Sequence, residues 1–391
     1  MGYPREPIEK TVKHSSVCRT PQFIRLCLGH HTRTWSSLFG ASCHVSNALS
    51  LPQPRLPLLV TGVAGVAGYN AFHYFHTLYP GQVVGLRRAD NWPLNGPGLI
   101  GCDLEDEAGL EQLFEQWRFG TVLDCDGSCA LKSCELDPAM ARRANVEGVA
   151  NVLRMVRRYD SRLVRLSIDL VFSGTRGGNH DIADKTDPVT VYGKTMVEAE
   201  QLVLNEAPDT CLLRISLPMG ISFNGHAGAI DWIQARFQKG KPATLYYDEV
   251  RTPTYCDCMN LMLHQVSCHP IQGLHHAGGQ RCLSLFEIAQ IVNRVGGYDP
   301  DLLMGCYRME AGPLPPRAGN VTMNSKSLDT HHEREVFAPW PLDEAWVPTD
   351  RNWHYERGSE AGSHELLSDV LYRNPELADL PNPVAVTSGS S

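Results

Sequence analysis

A strand-turn-helix pattern built around three glycines constrains this chain more than any other feature of its sequence. An apolar run that begins at Leu58 leads into glycines at three-residue spacing, and a helical pattern follows them. Glycine permits a sharp turn off the strand, close approach of the backbone to a pyrophosphate, and tight packing of the helix, whose N-terminus attracts phosphate groups. The pattern also fits a glycine-rich turn without a ligand, but the strand before it and the helix after it favour a dinucleotide. The predicted cofactor-binding residues of the turn are Gly62, Gly65, Val66, Ala67 and Gly68.

Length and charge exclude several classes of protein. The chain has 391 residues, enough for two domains, and its 35 basic and 43 acidic residues give a net charge of −8. This balance provides no broad basic surface for nucleic acid and no reason to expect an anionic membrane partner. No apolar run approaches the roughly 20 residues of a membrane span. We therefore expect a soluble protein whose ligands are small molecules.

The cysteines indicate a reducing compartment. Their number, thirteen, is odd, and several fall within predicted strands and helices. Reduced thiols of this kind are typical of the cytosol, so we predict a cytoplasmic protein. Neither Cys125, Cys129 and Cys134 nor Cys256 and Cys258 show the paired spacing of zinc sites, and we predict no metal.

The sequence divides into four segments. The first lacks periodicity and has no acidic residue after Glu9. Its arginines and serines resemble a transit peptide, against which Glu6 and Glu9 argue, and a start codon assigned too early explains it equally well. The predicted segments are a disordered extension (1–56), a dinucleotide-binding domain (57–217), a substrate-binding lobe with return segments to the sheet (218–335) and a partly disordered tail (336–391).

Short apolar runs alternate with helical patterns from residue 57 onward, as a parallel sheet requires. The predicted strands after the first are 82–86, 99–104, 121–126, 163–172 and 211–217. The predicted helices between them are 65–79, 108–117, 138–159 and 192–205. The fold class is α/β, a Rossmann-type doubly wound parallel sheet with a smaller, discontinuous C-terminal substrate lobe.

The ends of the second and third strands carry residues suited to the adenosine half of a dinucleotide. Arg87 and Arg88 stand where an acidic residue would bind the ribose of NAD, and a guanidinium pair suits the 2′-phosphate of NADP. Asp103 and Leu104 close the third strand, where a carboxylate can accept from the adenine amino group. Each of these charged residues also fits an ordinary solvated surface. We predict NADP as the cofactor, with NAD as the alternative.

Several motifs together resemble the extended short-chain dehydrogenase/reductase superfamily. They are the glycine turn, ANVEGVANVL at 144–153 and VYGKT at 191–195. Within that superfamily, DLVFSG at 169–174 and PPRAGNV at 315–321 look like dTDP-4-dehydrorhamnose reductase and its relatives. The likeness covers roughly residues 57 to 330, and the ordered recurrence of several motifs makes it more specific than any single one.

The resemblance implies hydride transfer from a nicotinamide to the C4 ketone of a nucleotide-linked sugar, with Tyr192 as the catalytic proton donor beside the cofactor. It also implies, by analogy alone, a homodimer. A phenol has an ordinary pKa near 10, so it protonates an alkoxide well near neutral pH only if a cation lowers that pKa. In the family, this cation is a lysine four residues after the tyrosine, and a Ser or Thr at the end of the fifth strand hydrogen-bonds the carbonyl.

This sequence departs from the family pattern beside the tyrosine. Met196 occupies the lysine position and carries no charge. Lys194 does not replace it, because two residues of helix turn a side chain about 200° away from Tyr192. Candidates elsewhere in the chain for the missing groups are His180 and Lys132, which the sequence does not place.

Two further departures lie at the ends of the fifth and fourth strands. Ile168 occupies the Ser/Thr position, and Ser167, one residue earlier, faces the opposite way on a strand. Asp126 stands where the family has a small apolar residue near the cofactor, and its charge is expected to repel phosphates or alter the nicotinamide pocket.

Three hypotheses follow from these motifs and from the departures. The first is a reductase of a 4-keto-sugar nucleotide with an atypical catalytic set. The second is a catalytically impaired, dinucleotide-binding regulatory or scaffold protein, because the regulatory beta subunit of methionine adenosyltransferase resembles this subfamily too. The third is a degenerate chain that binds neither ligand well. The glycine turn with Arg87 and Arg88 favours retained cofactor binding, whereas Ile168 and Met196 disfavour ordinary chemistry.

Overall fold

The computed structural model describes residues 52–225, 228–332, 336–357 and 362–372. The predicted extension therefore lies outside the described residues except for its last five positions, and so does the end of the predicted tail. The described strands are β1 (Leu58–Val60), β2 (Val83–Arg87), β3 (Leu99–Gly101), β4 (Thr121–Asp124), β5 (Arg162–Ile168), β6 (Cys211–Ile215), β7 (Pro218–Met219), β8 (Ala243–Tyr246), β9 (Val250–Arg251), β10 (Thr254–Tyr255), β11 (Gly273–Ala277), β12 (Leu283–Ser284) and β13 (Leu303–Cys306).

Helices connect most of these strands. The described α-helices are α1 (Val66–Leu78), α2 (Glu107–Trp117), α3 (Leu131–Leu136), α4 (Pro138–Arg142), α5 (Gly148–Tyr159), α6 (Val191–Glu206), α7 (Ala229–Gln238), α8 (Cys256–Cys268), α9 (Leu285–Val295), α10 (Lys326–His332) and α11 (His364–Tyr372). Among the described residues, no helix has both the length and the apolar character needed to cross a membrane.

A seven-stranded parallel sheet forms the centre of the molecule, in the order β11-β6-β5-β4-β1-β2-β3. The predicted doubly wound fold is confirmed. The strand order reverses between β1 and β4, and ligands of such folds bind outside the carboxyl ends of the strands at this point. The turn after β1 and the loop after β4 therefore form the expected ligand-binding edge.

Both faces of the sheet are covered, which explains why its strands are apolar runs rather than alternating patterns. In β1, Leu58 and Val60 belong to the core beneath α1 and α8, whereas Leu59 belongs to the core beneath α2 and α5. All three side chains are fully buried.

A second core lies outside the sheet and is built around α7, α9 and the β8–β13 pair. The segment predicted as a tail contributes to it, because Trp340, Trp353, Leu367 and Leu371 are all buried there. The described part of that segment is therefore packed. The domain boundaries at residues 217 and 335 stay predictions.

Three elements differ from the expected boundaries by more than two residues. The third strand was expected to run to residue 104, but β3 ends at Gly101. The fifth strand was expected to run to residue 172, but β5 ends at Ile168 and Asp169–Val171 form a 3₁₀ turn. The expected helix at 138–159 is interrupted by a π-helical turn at Arg143–Glu147. Such turns are rare and are frequently found at functional sites.

Candidate functional site

The glycine turn leads from β1 into α1 with little space to spare. Gly62 has a φ of +65°, and a Cβ there would lie 2.5 Å from the carbonyl oxygen of Cys125. A Cβ on Gly68 would lie 2.3 Å from the carbonyl oxygen of Gly62, so the helix packs directly on the turn. Gly65 is different, because the nearest atom to a Cβ there is 3.4 Å away. Gly65 is the N-cap of α1 and no side chain caps the helix, so nothing on it competes with an anion at the first helical turn.

A buried ion pair fixes the strands below this turn. Asp124 accepts a hydrogen bond from the Thr61 hydroxyl at 2.6 Å and pairs with Arg165 on the neighbouring strand. The exposed fractions of Asp124 and Arg165 are 0 % and 1 %. The sequence prediction missed this pair, although a charged residue inside each of two apolar strands was a visible signal.

Asp126 lies against the glycine turn. Its backbone nitrogen and Cα would each be 2.7 Å from a Cβ on Gly62. Burial and the neighbouring carboxylate of Asp124 raise the pKa of Asp126 to about 7, although Arg165 opposes the shift. Its charge state therefore changes near neutral pH.

The residues predicted for the adenosine half are held in a network of charges. Arg88 is half exposed and lies 3.3 Å from Glu105, 3.7 Å from Asp103 and 3.8 Å from Asp90. Asp103 also accepts from the backbone of Ala89 at 3.0 Å. The guanidinium of Arg88 is accessible, but three carboxylates already offset its charge.

Arg87 and Leu104 are less open to a ligand than predicted. Arg87 donates to the carbonyl oxygens of Arg88 and Ala89 at 2.8 and 3.1 Å. The Leu104 side chain is buried in the core beneath α2 and α5. The Leu104 carbonyl accepts from Asn151 at 2.7 Å, so this residue has a structural role.

Tyr192 lies in the first turn of α6, which Thr190 caps by accepting from the backbone of Gly193 at 2.9 Å. The tyrosine is 6 % exposed, and its hydroxyl makes no hydrogen bond with any described residue. Burial, Cys129 and Asp169 raise the pKa of Tyr192 well above its ordinary value, whereas Arg251 and Arg165 only oppose the shift. The phenol is therefore in its neutral form across the physiological range.

The residues around Tyr192 have the orientations that the sequence predicted. Met196 is buried, with its sulfur 3.9 Å from a Cβ placed on Gly127, whereas Lys194 is exposed. Ser167 donates to Glu200 at 2.6 Å, on the side of β5 that faces α6, and Ile168 packs against both adjoining cores.

Neither of the two candidates for the missing groups makes a hydrogen bond or ion pair with Tyr192 among the described residues. His180 stacks on Phe172 with ring centroids 3.9 Å apart and contacts Asp184 at 3.3 Å. Lys132 is exposed on α3. We therefore assign neither of them a part in catalysis.

Asn145, within the π-helical turn, connects the loop after β4 to α6. Its side-chain oxygen accepts from the backbone of Ser128 at 2.7 Å, and its amide donates to the Thr195 hydroxyl at 2.9 Å. Thr195 in turn donates to the carbonyl oxygen of Tyr192 at 2.8 Å. The sequence contained Asn145 within a family-like string, but gave no sign of this positioning role.

The second core borders a cavity of about 520 Å³ that the sequence analysis did not predict. Two cation–aromatic pairs lie in its wall. The Arg317 guanidinium lies 4.7 Å from the ring centre of Tyr246, and that of Arg236 lies 5.4 Å from the ring centre of Trp232. The lining residues are Leu217, Trp232, Ile233, Arg236, Pro242, Thr244, Leu245, Tyr246, Leu285, Ile288 and Arg317.

A row of alternating charges extends from this cavity to the end of β5. Arg317 contacts Glu249 at 3.7 Å, and Glu249 contacts Arg251 at 4.0 Å. Arg251 makes two hydrogen bonds to Asp169, of 2.6 and 2.5 Å. All but Arg317 are almost fully buried.

Comparison with known proteins assigns the chain to a family. The RmlD substrate binding domain matches residues 56–340. A dTDP-4-dehydrorhamnose reductase of Mycolicibacterium smegmatis is 26 % identical over 257 residues, which are 63 % of this chain and 76 % of that protein. The methionine adenosyltransferase 2 subunit beta of Danio rerio is 22 % identical over 239 residues, 60 % of this chain and 73 % of that protein.

A solved structure shows the same fold. The dTDP-4-dehydrorhamnose reductase of Bacillus anthracis, determined in complex with NADP, superposes with a TM-score of 0.61 at 18 % identity, covering 70 % of this chain and 92 % of that one. Because the family match spans well over half of the sequence, including the glycine turn and most of the second core, the chain belongs to the RmlD substrate binding domain family, within the extended short-chain dehydrogenase/reductase fold.

Proposed function

We propose that this protein is a nicotinamide-dependent reductase of a 4-keto-sugar nucleotide, similar in activity to dTDP-4-dehydrorhamnose reductase. The cavity in the second lobe carries the proposal. Its aromatic rings suit the base of a nucleotide, and guanidinium groups are the side chains best suited to phosphates. All residues that line the cavity lie within the segment that matches the RmlD substrate binding domain, residues 56–340.

The glycine turn fits a nicotinamide dinucleotide. Its backbone leaves space at Gly65, and the first turn of α1 carries no capping side chain. When bound, the dinucleotide supplies a hydride to the ketone carbon. NADP is the proposed form because Arg88 is accessible to a 2′-phosphate, and the relative from Bacillus anthracis binds it. Since Asp103 and Glu105 offset the charge of Arg88, the assay below includes NADH as well.

Tyr192 is the proposed proton donor to the developing alkoxide. Its neutral phenol holds the proton that this step needs, but no lysine follows at the fourth position to lower its pKa. A correctly placed acid-base group contributes about 10² to 10⁴ in rate. We therefore expect turnover well below that of a relative with a complete catalytic set.

The alternative is a dinucleotide-binding regulatory or scaffold protein with impaired catalysis. The apolar surroundings of Tyr192 favour it, because Met196 and Ile168 provide neither a cation nor a hydroxyl donor. The likeness to the methionine adenosyltransferase subunit beta is consistent with such a role.

We also propose a cytoplasmic location. All ten cysteines of the described residues are free, as expected of a protein in a reducing compartment.

The test is oxidation of NADPH and of NADH with dTDP-4-dehydro-6-deoxy-L-mannose. The wild type is compared with Tyr192→Phe and with a restored double variant, Ile168→Thr with Met196→Lys. We expect slow turnover in the wild type, loss of it in Tyr192→Phe, and faster turnover in the restored variant by about 10².

The other outcomes separate the hypotheses. A silent wild type with an active restored variant would mean that the binding sites are intact and that catalysis is lost, as the alternative requires. If both stay silent while the dinucleotide binds, the proposed substrate class is wrong.

A further inference from the structure

We propose that Glu249 is a positioning residue for Arg317 and that a diphosphate ligand enters the second-lobe cavity with net uptake of protons by Glu249. The inference rests on the proposed function, since it assumes that the cavity receives the diphosphate of a nucleotide sugar. It goes further in assigning a role to a buried carboxylate outside the lining of the cavity.

Glu249 lacks the hydrogen bonds that normally accompany a buried charge. Its side chain is 4 % exposed, and its Oε2 atom is buried without a hydrogen bond to any described residue. The Nη1 atom of Arg317 lies 3.7 Å from Oε2, too far for a hydrogen bond. The Nη1 atom of Arg251 lies 4.0 Å from Oε1, and that arginine is already bonded twice to Asp169.

Groups that favour opposite charge states surround the carboxyl group of Glu249. Arg251 and Arg317 favour its ionised form, whereas burial, Asp169 and Asp248 favour its neutral form, and the balance raises the pKa of Glu249 above its ordinary value. Asp248 is itself paired with Arg308 at 3.2 Å. The neighbouring α9 contributes Leu285, whose backbone donates to the carbonyl oxygen of Glu249 and carries no charge.

Arg317 is the member of this row that a ligand can reach. It is 26 % exposed and lines the cavity over Tyr246. A diphosphate bound there places negative charge beside Glu249. It also pairs with the guanidinium of Arg317, which otherwise stabilises the ionised form of Glu249. Two negative charges close together in a low-dielectric site repel each other strongly. Glu249 therefore takes a proton from solvent.

The direction of the pH dependence follows from this uptake. Binding that takes up a proton becomes tighter as pH falls. Above the bound-state pKa of Glu249 the linkage disappears, and below its free-state pKa the carboxyl is already neutral. We expect the affinity to rise as pH falls through the window between these two pKa values, by at most about tenfold for each unit of ligand-induced shift.

The experiment is calorimetry of the full chain with dTDP-glucose and no dinucleotide. Both phosphates of this probe are esterified, so its own charge does not change across the range. Titration in two buffers of different ionisation enthalpy counts the protons taken up in the wild type without any substitution. Glu249→Gln, which keeps the size of the side chain, should abolish the uptake and flatten the pH profile. Asp248→Asn, which removes a neighbouring carboxylate, should retain both.

Each outcome is decisive. Binding with no proton uptake, or uptake that survives in Glu249→Gln, overturns the inference and leaves the cavity assignment intact. Loss of the uptake in Asp248→Asn but not in Glu249→Gln assigns the proton to Asp248 and also overturns it. If dTDP-glucose does not bind at any pH, both the inference and the proposed function fail. Proton-coupled binding without NADPH oxidation supports the inference and refutes the reductase.

Discussion

At the scale of single residues, the carboxyl group of Asp126 controls the charge beside the glycine turn. With its pKa raised to about 7, it is neutral below that pH and negative above it. A dinucleotide brings a pyrophosphate to the same turn. We therefore expect the affinity for a dinucleotide to depend on the protonation of this side chain.

We predict that NADH binds more weakly as pH rises through about 7. A repulsion of about 1 kcal/mol between the ionised carboxylate and the pyrophosphate weakens binding about fivefold. Fluorescence titration of NADH near pH 6 and near pH 8 measures the effect, and NADH avoids the titratable 2′-phosphate of NADPH. Asp126→Asn should bind at both pH values with the affinity that the wild type shows near pH 6. A wild-type affinity that does not change with pH would contradict the prediction.

The sequence predicted the side-chain orientations near Tyr192 better than it predicted the buried charges below the glycine turn. Met196 and Ser167 have the expected orientations because helical and strand periodicities fix the direction of a side chain. The pairing of Asp124 with Arg165 depends on which strands become neighbours. That register is a tertiary property, and no local pattern contains it.

At the scale of secondary-structure elements, β4 and β5 are joined by this buried pair as well as by their backbone ladder. Asp124 lies directly opposite Arg165 in the register. Taking either charge out of water is costly, and the pair persists because each ion neutralises the other. Removing one partner leaves the other charge buried alone.

We predict that Arg165→Met lowers the free energy of unfolding by about 3–5 kcal/mol, because it leaves the carboxylate of Asp124 buried without its counter-ion. The double variant Arg165→Met with Asp124→Asn should recover most of the loss, since no buried charge remains. Arg157→Met is the matched control, because its pair with Glu206 is exposed and should cost less than about 1 kcal/mol. Urea denaturation measures all of them. Equal losses in Arg165→Met and Arg157→Met would refute the argument.

Element types were predictable from the sequence, whereas element ends and irregularities were not. Apolar runs and helical periodicity located β2, β4, β6, α1 and α6 to within one or two residues of their ends. The expected fifth strand ran too far because its apolar residues continue past Ile168 into the 3₁₀ turn. The π-helical turn was not expected, because the two periods used to interpret the sequence are those of the α-helix and the strand.

At the scale of the whole molecule, the second core includes residues of the segment that was predicted as a tail. Trp340 is fully buried in the second core, and its indole donates to the carbonyl oxygen of Leu371 at 3.3 Å. The sequence suggested only a poorly structured tail there, because isolated aromatic residues among prolines and charges show no periodicity. Their contribution comes from contacts with α7 and α9, far away in the sequence.

We predict that Trp340→Ala costs about 3–5 kcal/mol of stability, as truncation of a fully buried tryptophan usually does. Trp92→Ala is the control, because Trp92 is 74 % exposed and its loss should be almost neutral. Thermal or urea denaturation of both variants measures the difference. Nucleotide-sugar binding should weaken in Trp340→Ala alone, since the cavity shares this core. A stable Trp340→Ala protein would show that the described tail is dispensable.

The position of β11 has a consequence for how the protein is made. This strand pairs with β6 at the end of the sheet, but α7, α8 and the four short strands β7 to β10 lie between them in the sequence. During synthesis, β6 emerges about sixty residues before the strand that covers it, and an uncovered sheet edge invites pairing with another chain. The central sheet therefore gains its last strand only after α7 and α8 have been made, and a nascent chain that stalls before β11 leaves β6 as an unpaired sheet edge.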